Sequence, residues 1–158
     1  MNIILNYLHL LSLIIWLGGI IFFSFIATPA IFDVLKREEA GQVVGAIFPN
    51  YYLLGYICGA IAIITTVILG VKGNSYEQIK VVLLTIMLLT TLVAGLYILP
   101  KAQSIKKEMY ASTDVKVKEN LKKKFGQIHG ISMGMNVLVL VSGLAVIFFI
   151  AYRLKENT

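Results

Sequence analysis

Two histidines lie in apolar stretches of the chain, and they are the residues best suited to bind a metal or a haem iron. His9 lies near the start of the first apolar stretch, and His129 opens the last one. A neutral imidazole is a common ligand of metal ions and of haem iron. Because an imidazole facing lipid is costly, we expect both rings to point into a helical bundle. The alternative is that each ring only forms a hydrogen bond to a neighbouring helix.

Three further residues have positions that suit cofactor binding beside these histidines. Trp16 shares a helical face with His9, Asn136 shares a face with His129, and Lys80 begins the third apolar stretch. Lys80 could supply an amine ligand or bind a propionate, or it could extend to lipid headgroups. His9 and His129 enter from opposite sides of a core ~30 Å thick, so the sequence predicts two sites rather than one shared iron.

A second polar cluster is predicted at the end of the bundle that contains His129. Its other members lie near the span ends, and they are Pro29, Asp33, Phe48, Pro49, Asn50, Pro100, Lys101 and Asn136. Such a cluster could form a pocket for a small anion, a lipid headgroup or the edge of a cofactor. It could equally consist of helix ends packed at close quarters.

The composition requires a membrane environment. Of 158 residues, 58% are hydrophobic and only 14% are charged, whereas a soluble domain has about 25% charged residues. Four stretches are long enough to cross a bilayer as helices, at residues 3–32, 47–71, 79–99 and 128–152. The sequence therefore predicts an all-α protein, a single transmembrane domain built as a four-helix bundle.

The ends of the predicted spans are marked by prolines and polar residues. Pro49 is expected in the first turn of the second span, where its missing N–H costs little. Pro100 is expected to close the third span, and Pro29 to kink the first. The basic segment of residues 101–127 is predicted to be partly helical, with an N-cap among Ser112, Thr113 and Asp114.

The distribution of basic residues predicts the orientation. Ten of the fourteen Lys and Arg residues lie in the two long connections, at residues 33–46 and 101–127. The positive-inside rule places both connections in the cytoplasm and both termini outside. The net charge of +6 is thus explained by topology and contact with membrane lipid, and we expect no nucleic-acid partner.

Small residues repeat every four positions in two of the spans. Gly55 and Gly59 do so in the second span, and Gly126, Gly130 and Gly134 in the fourth. This spacing lets membrane helices approach closely. The partner could be in the same chain, in a homodimer or in a larger membrane complex.

Several segments together carry a resemblance to a known family. They are HLLSLIIWLGGIIFFSFIATPAIF from His9, then AGQVVGAIFPNYY, YILPK and FGQIHGISMGMN. Nearly the whole chain resembles the small family of four-helix membrane proteins that includes human transmembrane protein 205. The resemblance implies the four-helix fold and brings little about function.

The first span is also similar, more weakly, to two other families of membrane proteins. One is the HemJ protoporphyrinogen oxidases, which share the spacing between His9 and Trp16, and the other is the CopD copper-resistance proteins. The HemJ likeness implies haem b bound through His9, with Lys80 as the matching lysine. The chain departs from that family at Pro29, Pro49 and the His129 segment, so oxidase activity is not carried over.

Three functions follow as alternatives. Haem-b binding or redox-linked activity comes first, with His9 and His129 as ligands. A small transporter or metal-handling protein would use the polar cluster with Met133, Met135 and Cys58. A non-catalytic structural or assembly subunit would explain why no conventional catalytic pattern is present, and whether the protein is an enzyme is left open.

Overall fold

The computed structural model describes residues 3–70 and 75–156, and those residues fold into four long helices. They are α1 (Ile3–Val34), α2 (Arg37–Gly70), α3 (Ser75–Val93, Ala94–Ile98 and Leu99–Ala111) and α4 (Val115–Glu156). Each is long and apolar enough to cross a membrane, which confirms the predicted four-helix membrane fold. The predicted end of the second span at Val71 lies outside the described residues.

The bundle has two different ends, which we name by what lies there. At the terminal end α1 begins, α4 ends, and α2 leads into α3. At the loop end residues 35–36 join α1 to α2 and residues 112–114 join α3 to α4. The helices run up and down in turn, so α1 and α3 are parallel to each other.

The basic connection at the loop end is more helical than the sequence predicts. The helix of α3 continues to Ala111 and α4 begins at Val115, so only three residues separate them. Asp114 is the N-cap, since its Oδ1 accepts the backbone N–H groups of Lys116 at 2.7 Å and Val117 at 3.3 Å. The basic residues therefore project from two helices that extend beyond the apolar spans.

The prolines lie inside helices rather than at their ends, so the predicted roles of Pro49 and Pro100 as helix boundaries are wrong. Pro49 lies within α2, one turn beyond Gly45. Pro29 and Pro100 each follow a π-helical segment, Phe22–Ala27 and Ala94–Ile98. A proline lacks the N–H donor and clashes with the preceding turn, and a wider π turn relieves that conflict without ending the helix.

The centre of the bundle is held by a tryptophan packed against glycines. The Trp16 side chain of α1 lies against α2 at Gly55 and Gly59, and a methyl group built on Gly59 would lie 2.9 Å from the Trp16 ring and from Leu88. Leu13, Leu84 and Met87 complete the buried core around it. The predicted close approach at this glycine pair is confirmed within the chain.

The outer surface of the bundle is apolar and exposed, as lipid contact requires. Phe22, Phe25, Leu89 and Phe148 are among many large hydrophobic side chains that the bundle leaves uncovered. Gly126, Gly130 and Gly134 also face outward, and a methyl group built on any of them meets nothing within 4 Å. The structure describes an integral membrane protein, and a homodimer or larger complex through that glycine stripe stays a prediction.

Replacing Gly59 by leucine should destabilise the bundle, because the added side chain must displace Trp16 or Leu88. We expect overpacking to lower the free energy of unfolding by about 1–3 kcal/mol. Thermal unfolding in mild detergent measures the effect. The matched control is Gly18→Leu on α1, where a methyl group meets nothing within 4 Å. Equal shifts for the two variants would contradict this account of the core.

Candidate functional site: a buried polar cluster and a loop-end cavity

His9 is buried at the terminal end, where it joins α1 to α2. Its side chain is 6% exposed, and its Nδ1 lies 3.2 Å from the Ala62 carbonyl oxygen and 3.1 Å from Thr65 Oγ1. Thr66 Oγ1 is 3.4 Å away. The prediction that this imidazole points into the bundle is therefore confirmed.

The hydrogen bonds assign the tautomer of His9. The Thr65 hydroxyl donates to the Ile61 carbonyl oxygen at 2.7 Å, and the Thr66 hydroxyl donates to the Ala62 carbonyl oxygen at 2.7 Å. Each hydroxyl has one proton, so both hydroxyl oxygens can only accept from the imidazole. Nδ1 therefore carries the hydrogen, and Nε2 has the lone pair.

Lys80 belongs to a buried ion pair of α3. Its Nζ lies 2.8 Å from Glu77 Oε2, one turn earlier, and the two side chains are 9% and 4% exposed. Both groups are close enough to His9 to interact with it electrostatically. Lys80 thus lies beside His9, as the sequence suggests, but its amine is held by a carboxylate. The Glu77–Lys80 pair reduces the cost of placing either charge inside the bundle.

A large cavity lies at the loop end, between all four helices. Its volume is about 590 Å³, which is within the range of small-molecule sites. The wall includes apolar and aromatic side chains such as Phe23 of α1, Phe48 of α2, Leu99 of α3 and Phe125 of α4. Both π-helical segments contribute to it, and such segments often occur at functional sites.

Charged side chains line the part of the cavity farthest from the bundle centre. They are three cations and one acid: Arg37, Lys106, Lys122 and Glu38. The Lys106 amine lies directly against Gly41, where the position of a β-carbon would be 2.7 Å from Nζ. The Lys106 side chain thus reaches from α3 to α2 and forms part of the cavity wall. The wall therefore carries an excess of positive charge.

The side of the cavity nearest the bundle centre is polar and aromatic. The Tyr51 hydroxyl donates to Asn136 Oδ1 at 3.2 Å, and the hydroxyls of Tyr52 and Ser132 are 3.4 Å apart. These bonds join α2 to α4. The rings of Phe48 and Tyr52 stack with their centroids 5.9 Å apart. Stacked aromatic rings therefore form the wall on this side of the cavity.

The structure divides the predicted site residues between two places. His9 and Lys80 belong to the terminal-end cluster, and Trp16 packs between α1 and α2. His129 and Asn136 line the cavity, although the His129 ring is exposed rather than enclosed. That ring stacks on Phe125, with centroids 6.1 Å apart and planes inclined by 8°.

Phe48 of the predicted polar cluster also lines the cavity, but the remaining members of the cluster lie outside the cavity wall. Pro49, Asn50, Pro100 and Lys101 are all exposed on the outer faces of α2 and α3. In the sequence these residues are neighbours of residues that line the cavity. Because the helices continue without a break, their side chains lie on the faces turned away from it. A pocket at this end was predicted, and these residues do not form its wall.

Two functional candidates were missed from the sequence. Glu77 stands three residues before Lys80, which is the spacing of a helical ion pair, so a signal was present. Lys106 is one of several lysines in a basic segment, and nothing in the sequence separates it from exposed Lys107. Only the contact of the Lys106 side chain with Gly41 distinguishes the two.

Comparison with known proteins places the chain in a family. The profile of a family described as "Domain of unknown function (DUF4149)" matches residues 11–111. The chain belongs to the DUF4149 family. An uncharacterized protein of Aquifex aeolicus (strain VF5) is 30% identical over 146 residues, which are 92% of this chain and 95% of the relative. No solved structure matches the chain.

The region shared with the DUF4149 family covers most of the cavity wall but neither histidine. It includes both π-helical segments, the Glu77–Lys80 pair and Lys106, and it ends where α3 ends. The match does not test the resemblances to transmembrane protein 205, HemJ or CopD, which stay predictions. Among the residues that the structure describes, no three His, Cys, Asp or Glu side chains come together as a metal site.

Replacing His9 by alanine should lower stability, because the α1–α2 hydrogen bonds and the buried ring are both lost. We expect a loss of about 2 kcal/mol in the free energy of unfolding. The control His129→Ala removes an exposed ring and should change the free energy by less than about 0.5 kcal/mol. Thermal unfolding compares the variants, and a larger loss for His129→Ala would contradict this assignment.

Proposed function

We propose that this DUF4149 protein binds an amphipathic molecule with an apolar body and an anionic head in the loop-end cavity. The observation that carries the proposal is the cavity itself, about 590 Å³ in volume and placed between all four helices. An occupant would restore packing contacts that the side chains around this space otherwise lack.

The chemistry of the wall favours a ligand with two unlike ends. The aromatic and aliphatic side chains near Phe23, Phe48 and Leu99 suit an acyl chain or another apolar body. The amine of Lys106, with Arg37 and Lys122 nearby, suits a phosphate or a carboxylate. Glu38 offsets part of this charge, and the excess of cations remains.

The predicted orientation agrees with an anionic ligand. If the loop end faces the cytoplasm, as the positive-inside rule predicts, the cavity lies in the leaflet where anionic lipids are abundant. The lysines of the extended α3 and α4 would then draw anionic headgroups towards the cavity. A role as a small transporter or metal-handling protein, or as a structural subunit of a larger complex, stays a prediction.

Haem b is the second candidate, and the structure bears on its two predicted ligands differently. His9 does not line the loop-end cavity, and its ring is packed among α2 side chains, so the surroundings of His9 do not fit a macrocycle. The surroundings of His129 fit better, because its imidazole and Asn136 line the large cavity with cations available for propionates. Bound there, haem would supply one-electron chemistry.

Replacing Lys106 by glutamine should weaken binding of dioleoyl phosphatidylglycerol by about tenfold, the effect of losing one charge-assisted hydrogen bond. The variant keeps most of the side-chain length and removes the charge. Native mass spectrometry of protein titrated with this lipid measures the affinity. Oleate serves as the carboxylate counterpart, and dioleoyl phosphatidylcholine as the zwitterionic one.

The matched control is Lys107→Gln, which removes an exposed lysine that does not line the cavity. It should leave the affinity for each lipid unchanged. If both variants lose affinity equally, the lipid is held by the general basic surface and the cavity is not its site. If the wild-type protein prefers neither anionic ligand to phosphatidylcholine, the proposal is wrong.

The haem candidate predicts a visible spectrum. Protein purified after expression with added haem should show a Soret band, and its α and β bands should sharpen on reduction with dithionite. Replacing His129 by alanine should remove these bands, and replacing His9 by alanine in protein that still folds should leave them. A featureless wild-type spectrum would exclude the haem candidate and leave lipid binding standing.

A further inference from the structure

The contact between α1 and α4 is confined to part of the bundle. The two helices meet where Leu17 packs on Gly143. The second half of α1, Phe22–Val34, makes no comparable packing contact with α4, and the loop-end part of α3, Leu99–Ala111, packs on α4 rather than on α2. Between α2 and α3 the Lys106 side chain lies against Gly41. The loop-end half of the bundle is therefore open between α1 and α4.

The residues that face this gap follow from helical periodicity. Ser24 lies two turns beyond Leu17 on α1, and Asn136 and His129 lie two and four turns before Gly143 on α4. The faces that touch near the bundle centre thus continue towards the loop end as the two sides of the gap. Ser24, Asn136 and His129 all line the cavity, so the gap is the lateral mouth of the cavity.

The mouth is polar inside and apolar outside. Ser24, Thr28 and His129 line it, while the neighbouring Phe25 and Ile131 are exposed on the outer surface. Polar side chains that open towards lipid are costly unless a polar group meets them. A headgroup passing between the two helices would meet them, while its acyl chains stayed among the outer apolar side chains.

We infer that the ligand of the cavity is a bilayer lipid with an anionic headgroup, which enters sideways between α1 and α4 from the leaflet at the loop end. The inference rests on the proposed binding function and adds the source of the ligand. A water-soluble anion would instead arrive from the loop end, past Arg37 and Lys122. The two routes can be separated by blocking the lateral mouth alone.

Met133 is the residue with which to block the mouth. It lines the cavity from α4, one turn beyond His129, and its side chain is 56% exposed. Val137 lies one turn further on, is 57% exposed and does not line the cavity. Replacing Met133 by tryptophan narrows the mouth, and replacing Val137 by tryptophan adds the same bulk to the outer surface.

The test measures how fast the protein in nanodiscs binds each of two lipids. Isotope-labelled dioleoyl phosphatidylglycerol is supplied in the bilayer, and water-soluble dihexanoyl phosphatidylglycerol is supplied in the buffer. Met133→Trp should slow loading of the bilayer lipid by about tenfold, because the larger side chain narrows the path between α1 and α4. It should not slow the water-soluble lipid. Val137→Trp should alter neither, and Met133→Ala should speed the bilayer lipid.

Each failure has a separate meaning. If the wild-type protein binds neither lipid, the proposed function itself is wrong. If both lipids bind and Met133→Trp slows neither or both equally, the function stands and lateral entry is overturned. If tryptophan at this position weakens binding at equilibrium, the alanine variant decides, because unchanged kinetics in Met133→Ala would also overturn lateral entry.

Discussion

The hydrocarbon core of a bilayer offers no hydrogen-bonding partner to a polar group. This constraint explains the positions of the polar side chains inside the bundle. The imidazole of His9 is placed where two threonine oxygens and a carbonyl can accept its hydrogen. Glu77 and Lys80 neutralise each other within one helical turn. Tyr51 and Asn136 join α2 to α4. At the terminal end and the centre, these polar side chains therefore fasten one helix to another or to itself.

The same constraint makes the loop end unusual. Close packing in the centre comes from Trp16 against Gly55 and Gly59, where the absence of side chains on α2 admits a large ring. Beyond that level phenylalanine and tyrosine side chains line the cavity, together with Gly41 and Gly45. The π turns before Pro29 and Pro100 lie at this level too. The bundle therefore has a closely packed half around Trp16 and an open half at the cavity.

The sequence predicts the number of helices, the burial of His9 and an N-cap among residues 112–114, because each depends on local pattern or on the cost of polarity in lipid. It fails at the helix boundaries. Pro49 and Pro100 look like helix ends when read locally, yet both are carried within longer helices. The cavity wall could not be predicted either, since Lys106 differs from Lys107 only in the direction set by packing against Gly41.

The charge of the cavity wall and the shape of the cavity independently favour the same kind of ligand. Basic residues are concentrated at the loop end by topology, which the positive-inside rule explains without any ligand. Topology alone does not require Lys106 to turn into a cavity, nor a mouth with Ser24 and His129 to open between two apolar helices. An anionic lipid would satisfy both features, since its headgroup can pair with the amine and its chains can fill the aromatic wall. A soluble anion would pair with the Lys106 amine but would leave the polar opening between α1 and α4 unexplained. The lateral opening therefore favours a lipid more strongly than the positive charge does.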